Sequence, residues 1–170
     1  MEPINRDTKL LAPKFQAKLN DFLYSWNKNY PKYPLYVFEG FRSWKRQKEL
    51  YESGRAMDYT NNSGYVVVDK KKILTNAQPG QSFHNYGLAA DLVFDGNPQT
   101  QRVDWDWSNT KPWAVMGREV VKYGFEWAGS WKAFPEAPHI QLAFGHTIQE
   151  VAQLYQEGGL AKVWADLGAN

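Results

Sequence analysis

The sequence contains no cysteine, only three histidines and no long apolar run. The absence of cysteine excludes disulfide bonds, thiolate metal sites and a cysteine nucleophile, and it leaves the redox compartment open. No stretch approaches the length of about 18 consecutive apolar residues that indicates a membrane helix, and residues 1–11 are too polar for a secretory signal. We therefore expect a protein without membrane insertion that stays in the cytosol of the producing cell until something releases it.

The sequence also lacks an excess of charge of one sign. Twenty Lys and Arg residues face 18 Asp and Glu residues, which gives a formal net charge of +2, and the longest basic run is Lys70-Lys71-Lys72. A nucleic-acid-binding domain usually carries a basic stripe, so we expect no nucleic-acid partner. Any chemistry must come from histidine, carboxylate, arginine or hydroxyl groups.

The length of 170 residues and the hydrophobic content of 43% suit one domain with a continuous core. Apolar periodicity and capping residues predict helices over Pro13 to Asn29, Trp44 to about Ser53, Trp113 to Tyr123 and from Thr147 onward. Strands are predicted over Leu35 to Phe41, Leu88 to Asp95 and His139 to Phe144, and a hairpin or flap lies between Asp58 and Thr75 around the turn cluster Asn61-Asn62-Ser63-Gly64. We predict one α+β domain over 1–170, with a motif-bearing core at about 35–145 and a helical segment at 147–170.

One predicted strand carries a carboxylate inside an apolar run. Asp91 points to the face opposite the apolar side chains Leu88, Ala90, Leu92 and Phe94. A carboxylate is costly to bury without a partner, so Asp91 either faces solvent at a sheet edge or coordinates something.

The set His84, Asp91 and His139 offers two neutral imidazoles and one carboxylate, which can bind a divalent cation and leave one position open. A zinc ion lowers the pKa of bound water to about 7 and polarises a carbonyl. Glu136 is the candidate carboxylate for moving the proton, and Arg42, at a strand-to-helix junction, is the candidate for stabilising an oxyanion. Taken singly, each of these residues has an ordinary alternative as a surface hydrogen-bonding group, a loop acid or half of an ion pair.

Three motifs in order resemble one known family. The run from Ser82 to Leu92, Ser-Phe-His-Asn-Tyr-Gly-Leu-Ala-Ala-Asp-Leu, is similar to the Ser-x-His-x-x-Gly-x-Ala-x-Asp signature of the zinc D-alanyl-D-alanine carboxypeptidase and L-alanyl-D-glutamate peptidase family. Upstream, Glu39 to Ser43 resembles the Gly-Tyr/Phe-Arg-Ser element of that family. Downstream, Trp131 to His139 resembles its Trp-x-x-Phe-x-Asp/Glu-x-Pro-His block. An ordered set of three motifs is far more specific than one.

The resemblance implies a Hedgehog/DD-peptidase-like fold, which is a small α+β domain with a central antiparallel sheet and flanking helices. It also implies one zinc ion and hydrolysis of a peptide bond in peptidoglycan stem peptides. By position, the implied metal ligands are His84, Asp91 and His139, with Glu136 as the general base and Arg42 as the oxyanion or substrate group.

The residues that contact the substrate are less clearly indicated than the metal ligands. Ser82 is expected to support the site or contact substrate, and Trp131 and Trp127 are expected to line the cleft. We expect a monomer whose partner is the stem peptide. His146 falls outside every motif and is expected not to bind the metal.

Within the family, the Gln78-Pro79-Gly80-Gln81 lead-in is most similar to L-alanyl-D-glutamate endopeptidases of phage endolysins and bacterial wall hydrolases. Many of those enzymes have Asp where this chain has Glu136. The alternatives are a D-Ala-D-Ala carboxypeptidase and a metal-stabilised cell-wall-binding module without turnover. A non-haem iron oxygenase would use a similar ligand set, but the six residues between His84 and Asp91 do not fit its usual spacing.

Overall fold

The computed structural model describes residues 2–60, 62, 64–100, 105–107 and 110–170. The α-helices are α1 (Pro13–Asn29), α2 (Trp44–Glu52), α3 (Thr110–Val121) and α4 (Ile148–Asp166). The strands are β1 (Leu35–Glu39), β2 (Arg55–Met57), β3 (Tyr65–Val67), β4 (Ala89–Asp95), β5 (Trp105–Asp106), β6 (Glu126–Trp127) and β7 (His139–Gln141). Asn61 and Ser63 of the predicted turn cluster lie outside the described residues.

Four strands form an antiparallel sheet in the order β1-β4-β7-β6, and β5 pairs with the end of β4. The strand β4 is central, because β1, β5 and β7 all pair with it. The separate pair β2-β3 is the predicted hairpin, although it begins at Arg55, three residues before the predicted start. These features confirm the predicted α+β fold with a central antiparallel sheet and flanking helices.

The core lies between one face of this sheet and the helices. Leu92 and Phe94 of β4 are at most 1% exposed, and the Phe94 ring contacts Trp26 of α1 and Trp113 of α3. Burying a side chain of this size contributes about 1.5–3 kcal/mol. The alternation along β4 therefore fixes one face in the core and leaves Asp91 on the other.

The predicted starts of α1 and α2, the two helices that precede the central strand β4 in the sequence, are confirmed. Pro13 occupies the first turn of α1, whose buried residues Phe15, Leu19, Phe22 and Trp26 recur every three or four positions. The Ser43 hydroxyl accepts the backbone N–H of Arg46 and caps α2. This cap places Arg42 in the four-residue junction between β1 and the helix.

Three predicted elements end earlier than expected. The strand predicted over Leu35 to Phe41 ends at Glu39. The strand predicted to reach Phe144 stops at Gln141. It could not have included Phe144, because that residue adopts a φ of 52°, which a strand cannot contain. The helix predicted over Trp113 to Tyr123 runs instead from Thr110 to Val121. Its final turn tightens into bonds that span three residues, from Lys122 N–H to Glu119 and from Tyr123 N–H to Val120.

A register shift in β1 brings an acid to the outer face of the sheet. Val37 pairs with Leu92, whereas Glu39 pairs with Asp91, so one extra residue lies between them. Strict alternation would place Glu39 with Val37 on the core side. The shift instead sets Glu39 opposite Asp91, where both contact Arg42.

The C-terminal helical segment packs against the region that contains the histidine motif. Thr147 and Glu150 form a reciprocal capping box at the start of α4. Further along, the indole N–H of Trp164 donates to the carbonyl of Tyr86. A kink at Gly158 and Gly159 separates these two contacts. Among the described residues, none of the helices has the length and apolarity to cross a membrane.

Candidate metal centre and its cavity

Three side chains that are distant in the sequence converge at the outer face of the sheet. His84 Nε2 lies 3.2 Å from His139 Nδ1, and Asp91 Oδ1 lies 3.3 Å from the first nitrogen and 3.2 Å from the second. Both imidazoles are buried, and the carboxylate is partly buried. The structure thus brings together the three residues that the sequence proposes as metal ligands.

Each of the three comes from a rigid element. Asp91 and His139 are directly paired residues of β4 and β7, so their side chains leave the same face of the sheet side by side. His84 lies on a 3-10 helix over Phe83–Tyr86. That helix ends at Gly87, which has a φ of 70°, and a Cβ there would lie 2.9 Å from the carbonyl oxygen of Leu10. Glycine is therefore required at this position of the motif.

Hydrogen bonds on the far side of each ring select its tautomer. The Nδ1–H of His84 donates to the carbonyl of Gly40 at 2.7 Å, which leaves Nε2 with a lone pair. The Nε2–H of His139 donates to Oε1 of Gln141 at 3.1 Å, which leaves Nδ1 with a lone pair. The orientation of Gln141 is itself determined, because its Nε2 donates to Glu126 Oε2 at 2.8 Å.

The resulting geometry fits a divalent cation. Three lone-pair atoms that lie 3.2–3.3 Å apart repel one another unless a proton or a cation lies between them. In a tetrahedral site with bonds of about 2.0–2.1 Å, neighbouring ligand atoms are separated by about 3.3 Å. The donor set of two imidazole nitrogens and one carboxylate oxygen is typical of catalytic zinc sites, which use three protein ligands.

Without a cation, a proton shared within the cluster takes its place. Burial by itself lowers the pKa of His139, but the hydrogen bond and charge of Asp91 outweigh it and the pKa is raised. Burial and the charge of Arg42 lower the pKa of His84. Burial would raise the pKa of Asp91, yet His84, His139 and Arg42 hold it well below its ordinary value. A proton added to the cluster is therefore held more readily by His139 than by His84 or Asp91.

Arg42 is held in a buried ionic network behind Asp91. Its Nη2 donates to Asp91 Oδ2 at 2.8 Å and to Glu39 Oε2 at 2.7 Å, its Nε donates to Glu39, and its Nη1 donates to Gln47. Four of the five guanidinium N–H groups are thus used, and one Nη1–H has no partner among the described residues. Asp91 keeps Oδ1 for the cation because Oδ2 is committed to Arg42.

A second arginine extends this network. Arg46 Nε donates to Glu39 Oε1 at 3.0 Å, and Arg46 Nη1 is buried with no hydrogen-bond partner among the described residues. The loop before α2 is tied to the histidine motif as well, because Asn85 Nδ2 donates to the Arg42 carbonyl. Two arginines therefore balance Glu39 and Asp91 in charge.

The cluster opens into a cavity of about 790 Å³. Glu136 lines this cavity together with the three candidate ligands and Arg42. Burial raises the pKa of the Glu136 carboxyl, while the charges of His139 and Arg42 oppose the rise. A half-buried carboxylate with an elevated pKa beside a candidate cation site is suited to accepting and returning a proton.

The remaining predicted site residues differ in their positions. Ser82 and Trp131 line the cavity, and the Trp131 ring lies 5.6 Å from the His139 ring. Trp127 does not line it. The Trp127 indole packs so closely on Gly117 that a Cβ there would lie 2.1 Å from the ring, and its N–H donates to the Ala137 carbonyl. This bond supports the loop that carries Glu136.

His146 lies apart from the cluster. Its Nδ1 is 3.9 Å from Glu150 on α4, and its side chain is 36% exposed. The sequence predicts that His146 does not bind the metal. Among the described residues it belongs to no group that could hold a metal ion.

Sequence reasoning missed the residues that orient the cluster, chiefly Glu39, Gln47, Glu126 and Gln141. Gln141 could have been found, since it lies two positions after His139 on the same face of one strand. Glu39 was quoted only as the first residue of a motif, because nothing local indicates the register shift that turns it toward Asp91.

Comparison with known proteins identifies the family of the chain. The model of the D-alanyl-D-alanine carboxypeptidase family, VanY, matches residues 8–136. The chain belongs to this family, which confirms the resemblance of the three motifs.

Two individual proteins are similar to this chain over part of its length. The chain is 36% identical over 110 residues to the peptidoglycan L-alanyl-D-glutamate endopeptidase CwlK of Bacillus subtilis (strain 168), which covers 62% of this chain and 59% of that protein. It is 25% identical over 101 residues to the L-alanyl-D-glutamate peptidase of Listeria phage A118. That alignment covers 53% of this chain and 35% of the phage protein. The chain therefore spans less than two thirds of the length of each of these relatives.

A solved structure supports the fold. A variant of the vancomycin resistance D,D-pentapeptidase VanY in complex with Zn(II) superposes with a TM-score of 0.55 at 18% identity, over 98% of this chain and 93% of that one. At this identity the similarity concerns the arrangement of the backbone. The sheet and helices described above are thus those of a VanY-like fold.

Proposed function

We propose that the protein is a zinc peptidase that hydrolyses a peptide bond in peptidoglycan stem peptides. The observation that carries this proposal is the triangle formed by His84, Asp91 and His139, whose lone-pair atoms lie 3.2–3.3 Å apart at the base of a cavity lined by Glu136. The family and the names of its relatives provide independent support.

His84, Asp91 and His139 would hold the zinc ion, whose positive charge polarises a carbonyl and lowers the pKa of water. The Glu136 carboxylate accepts a proton from the attacking water and then donates it to the departing amine. Its raised pKa favours the first transfer, because a more basic carboxylate takes the proton from water more readily, and the departing amine, which is more basic still, receives it in the second. The free Nη1–H of Arg42 is available to the developing oxyanion, while its other donors hold the guanidinium in place.

Of the bonds in a stem peptide, we propose the one between L-alanine and D-glutamate, because the chain is 36% identical over 110 residues to an enzyme of that name. Glutamate keeps one carboxylate beside this bond. Arg46 lines the same cavity and is the proposed partner of that carboxylate. Ser82 and Trp131 are the proposed contacts along the peptide.

A D-Ala-D-Ala carboxypeptidase is the second candidate, and the description of the matching family favours it. The terminal D-alanine also presents a carboxylate next to the scissile bond. A wall-binding module without turnover is disfavoured, because a structural metal site does not need a carboxylate such as Glu136 in an open cavity.

The phage relative supports a role of the endolysin type, in which the protein acts on the cell wall after release from the cell that makes it. One zinc ion per monomer and a stem peptide as partner complete the proposal.

Digestion of purified peptidoglycan followed by mass spectrometry of the new termini tests this function. We expect new N-terminal D-glutamate. Release of free D-alanine would instead identify the carboxypeptidase. If a preparation with one bound zinc per chain released neither, the peptidase proposal would be rejected in favour of the binding module.

A further inference from the structure

A row of aromatic side chains lies on the outer face of the sheet and remains exposed. Trp107 is 46% exposed, Trp105 39% and Tyr36 38%, and Phe38 lies between them with partial exposure. Successive ring centroids are close, at 4.7 Å from Trp107 to Phe38, 6.2 Å from Phe38 to Trp105 and 6.4 Å from Trp105 to Tyr36. We call these four residues the aromatic row.

Strand alternation places the aromatic row on the same face as the candidate metal ligands. Leu35 and Val37 of β1 contact the core, so Tyr36 points outward. Trp105 is paired with Asp95. Asp95 lies four residues after Asp91 along β4 and therefore points to the same face of the sheet. The row is thus a continuation of the surface that carries the metal cluster.

The aromatic row begins inside the cavity and leads away from it. Phe38 and Trp107 line the cavity together with Asp91 and Glu136. Trp105 and Tyr36 do not line it and extend the row along the sheet. A substrate that occupied the cavity would therefore meet the row with whatever part of it protrudes.

The fold does not account for the exposure of these rings. Core packing uses the opposite face. Among the described residues, the rings contact one another and Arg6, whose guanidinium carbon lies 5.3 Å from the centroids of both Phe38 and Trp105. A cluster of large exposed rings on a folded domain usually marks a binding surface. Arg6 is itself exposed and offers hydrogen-bond donors beside the rings.

We propose that the aromatic row binds the glycan strand to which the stem peptide is attached. This inference rests on the proposed function, because a stem peptide in the cavity necessarily brings its sugar chain to the cavity rim. Amino sugars present apolar C–H faces that stack on aromatic rings and polar edges that accept hydrogen bonds, and the row and Arg6 match these two requirements. The chemical class of ligand is a neutral, N-acetylated oligosaccharide.

The test compares two substrates that share the same peptide, one free and one linked to glycan. For Trp105→Ala we expect the ratio of kcat/KM on the glycan-linked substrate to kcat/KM on the free peptide to fall about tenfold, which is the loss of one good ring contact. Tyr36→Ala should lower the ratio in the same direction. The control is Tyr24→Ala, which removes a more exposed ring from α1 (73% exposed), outside the aromatic row, and should leave the ratio unchanged.

A binding measurement that does not need activity accompanies the kinetics. Titration of the metal-free protein with an N-acetylglucosamine tetramer should shift the indole N–H signals of Trp105 and Trp107 in a saturable manner. The signal of Trp26, buried and donating to the Tyr33 carbonyl, should stay in place. These signals remain interpretable even if a variant is poorly folded, because they are read in the wild-type protein.

The outcomes separate this inference from the proposed function. If the wild-type protein cleaves neither substrate yet the tetramer shifts Trp105, the peptidase proposal is rejected and oligosaccharide binding stands. If it cleaves both, the ratio is unchanged in Trp105→Ala and the tetramer shifts nothing, the inference is overturned. It is also overturned if Trp105→Ala converts a dimer into a monomer in sedimentation experiments without changing the ratio, since the row would then join two copies of this chain.

Discussion

The two faces of the central sheet differ in chemistry although they alternate along the same strands. On the core face of β4, Leu92 and Phe94 are at most 1% exposed and hold the helices in place. On the outer face, Asp91 lies beside His139 and opens to a cavity. Neighbouring residues of a strand point in opposite directions, so residues that stabilise the core alternate along β4 with residues that face the candidate metal site. Substitutions one residue apart should therefore fail in different ways.

The largest expected effect is on the outer face. His84→Ala removes one of three candidate ligands, so we expect loss of both stoichiometric zinc and hydrolysis. Glu136→Gln keeps the ligands and removes the proton acceptor, so zinc should remain near one per chain while kcat falls about 10²–10⁴-fold. Metal analysis of the purified proteins and assays on wall peptides provide the two readouts. Full activity of Glu136→Gln would remove Glu136 from the mechanism.

The next largest effect is on the core face. Phe94→Ala should lower the free energy of unfolding by about 3–5 kcal/mol, because the ring is buried against Trp26 and Trp113. Tyr36→Ala, on the outer face of the neighbouring strand, should cost only about 1 kcal/mol, because it loses one partly exposed ring contact. Denaturant unfolding of the metal-free proteins compares them. Equal losses would mean that the two faces contribute equally to stability.

A smaller effect should follow from the residues that orient the ligands. Gln141→Leu removes the acceptor that fixes the His139 tautomer, and we expect zinc affinity to fall about 10–100-fold. His146→Ala is the matched control, since it removes a histidine that pairs with Glu150 away from the cluster and should leave zinc affinity unchanged. Competition with a chelating dye measures both. An unaltered affinity in Gln141→Leu would show that the tautomer is set by other means.

The smallest effect concerns pH. His139 has a raised pKa in the metal-free protein, and zinc must displace its proton, so apparent zinc affinity should decrease at most about tenfold per unit as pH falls below that pKa and level off above it. The hydrogen bond from His139 to Gln141 contributes to the rise, so Gln141→Leu should shift the bend in the curve to lower pH. Dye competition at a series of pH values checks both. A curve that is flat through this range would contradict the assignment of His139 as a ligand.

The local elements were predictable because their signals are local. The bounds of α1 follow from the spacing of its apolar residues and from Pro13, and the start of α2 follows from Ser43. The convergence of His84, Asp91 and His139 was predictable only through ordered motifs, since no periodicity reveals that β4 and β7 are neighbours.

The features that the sequence did not predict depend mostly on contacts between residues that are distant in the sequence. The register shift opposite Asp91 is invisible in the sequence of β1 alone, so the buried pairs of Glu39 with Arg42 and Arg46 could not be anticipated. The positive φ of Phe144, which keeps β7 from extending through that residue, could not be predicted either, because phenylalanine seldom adopts it. Trp127 was expected in the cleft because it is close to the metal block in sequence, but packing on Gly117 places its ring behind the Glu136 loop.

Anomalous diffraction at the zinc edge, from crystals of the protein supplied with one equivalent of zinc, tests the central claim most directly. The account predicts a single peak in contact with Nε2 of His84, Nδ1 of His139 and Oδ1 of Asp91, with Arg42 still on the second oxygen of that carboxylate. A peak at any other group, or a site that uses the opposite nitrogen of either ring, would contradict it.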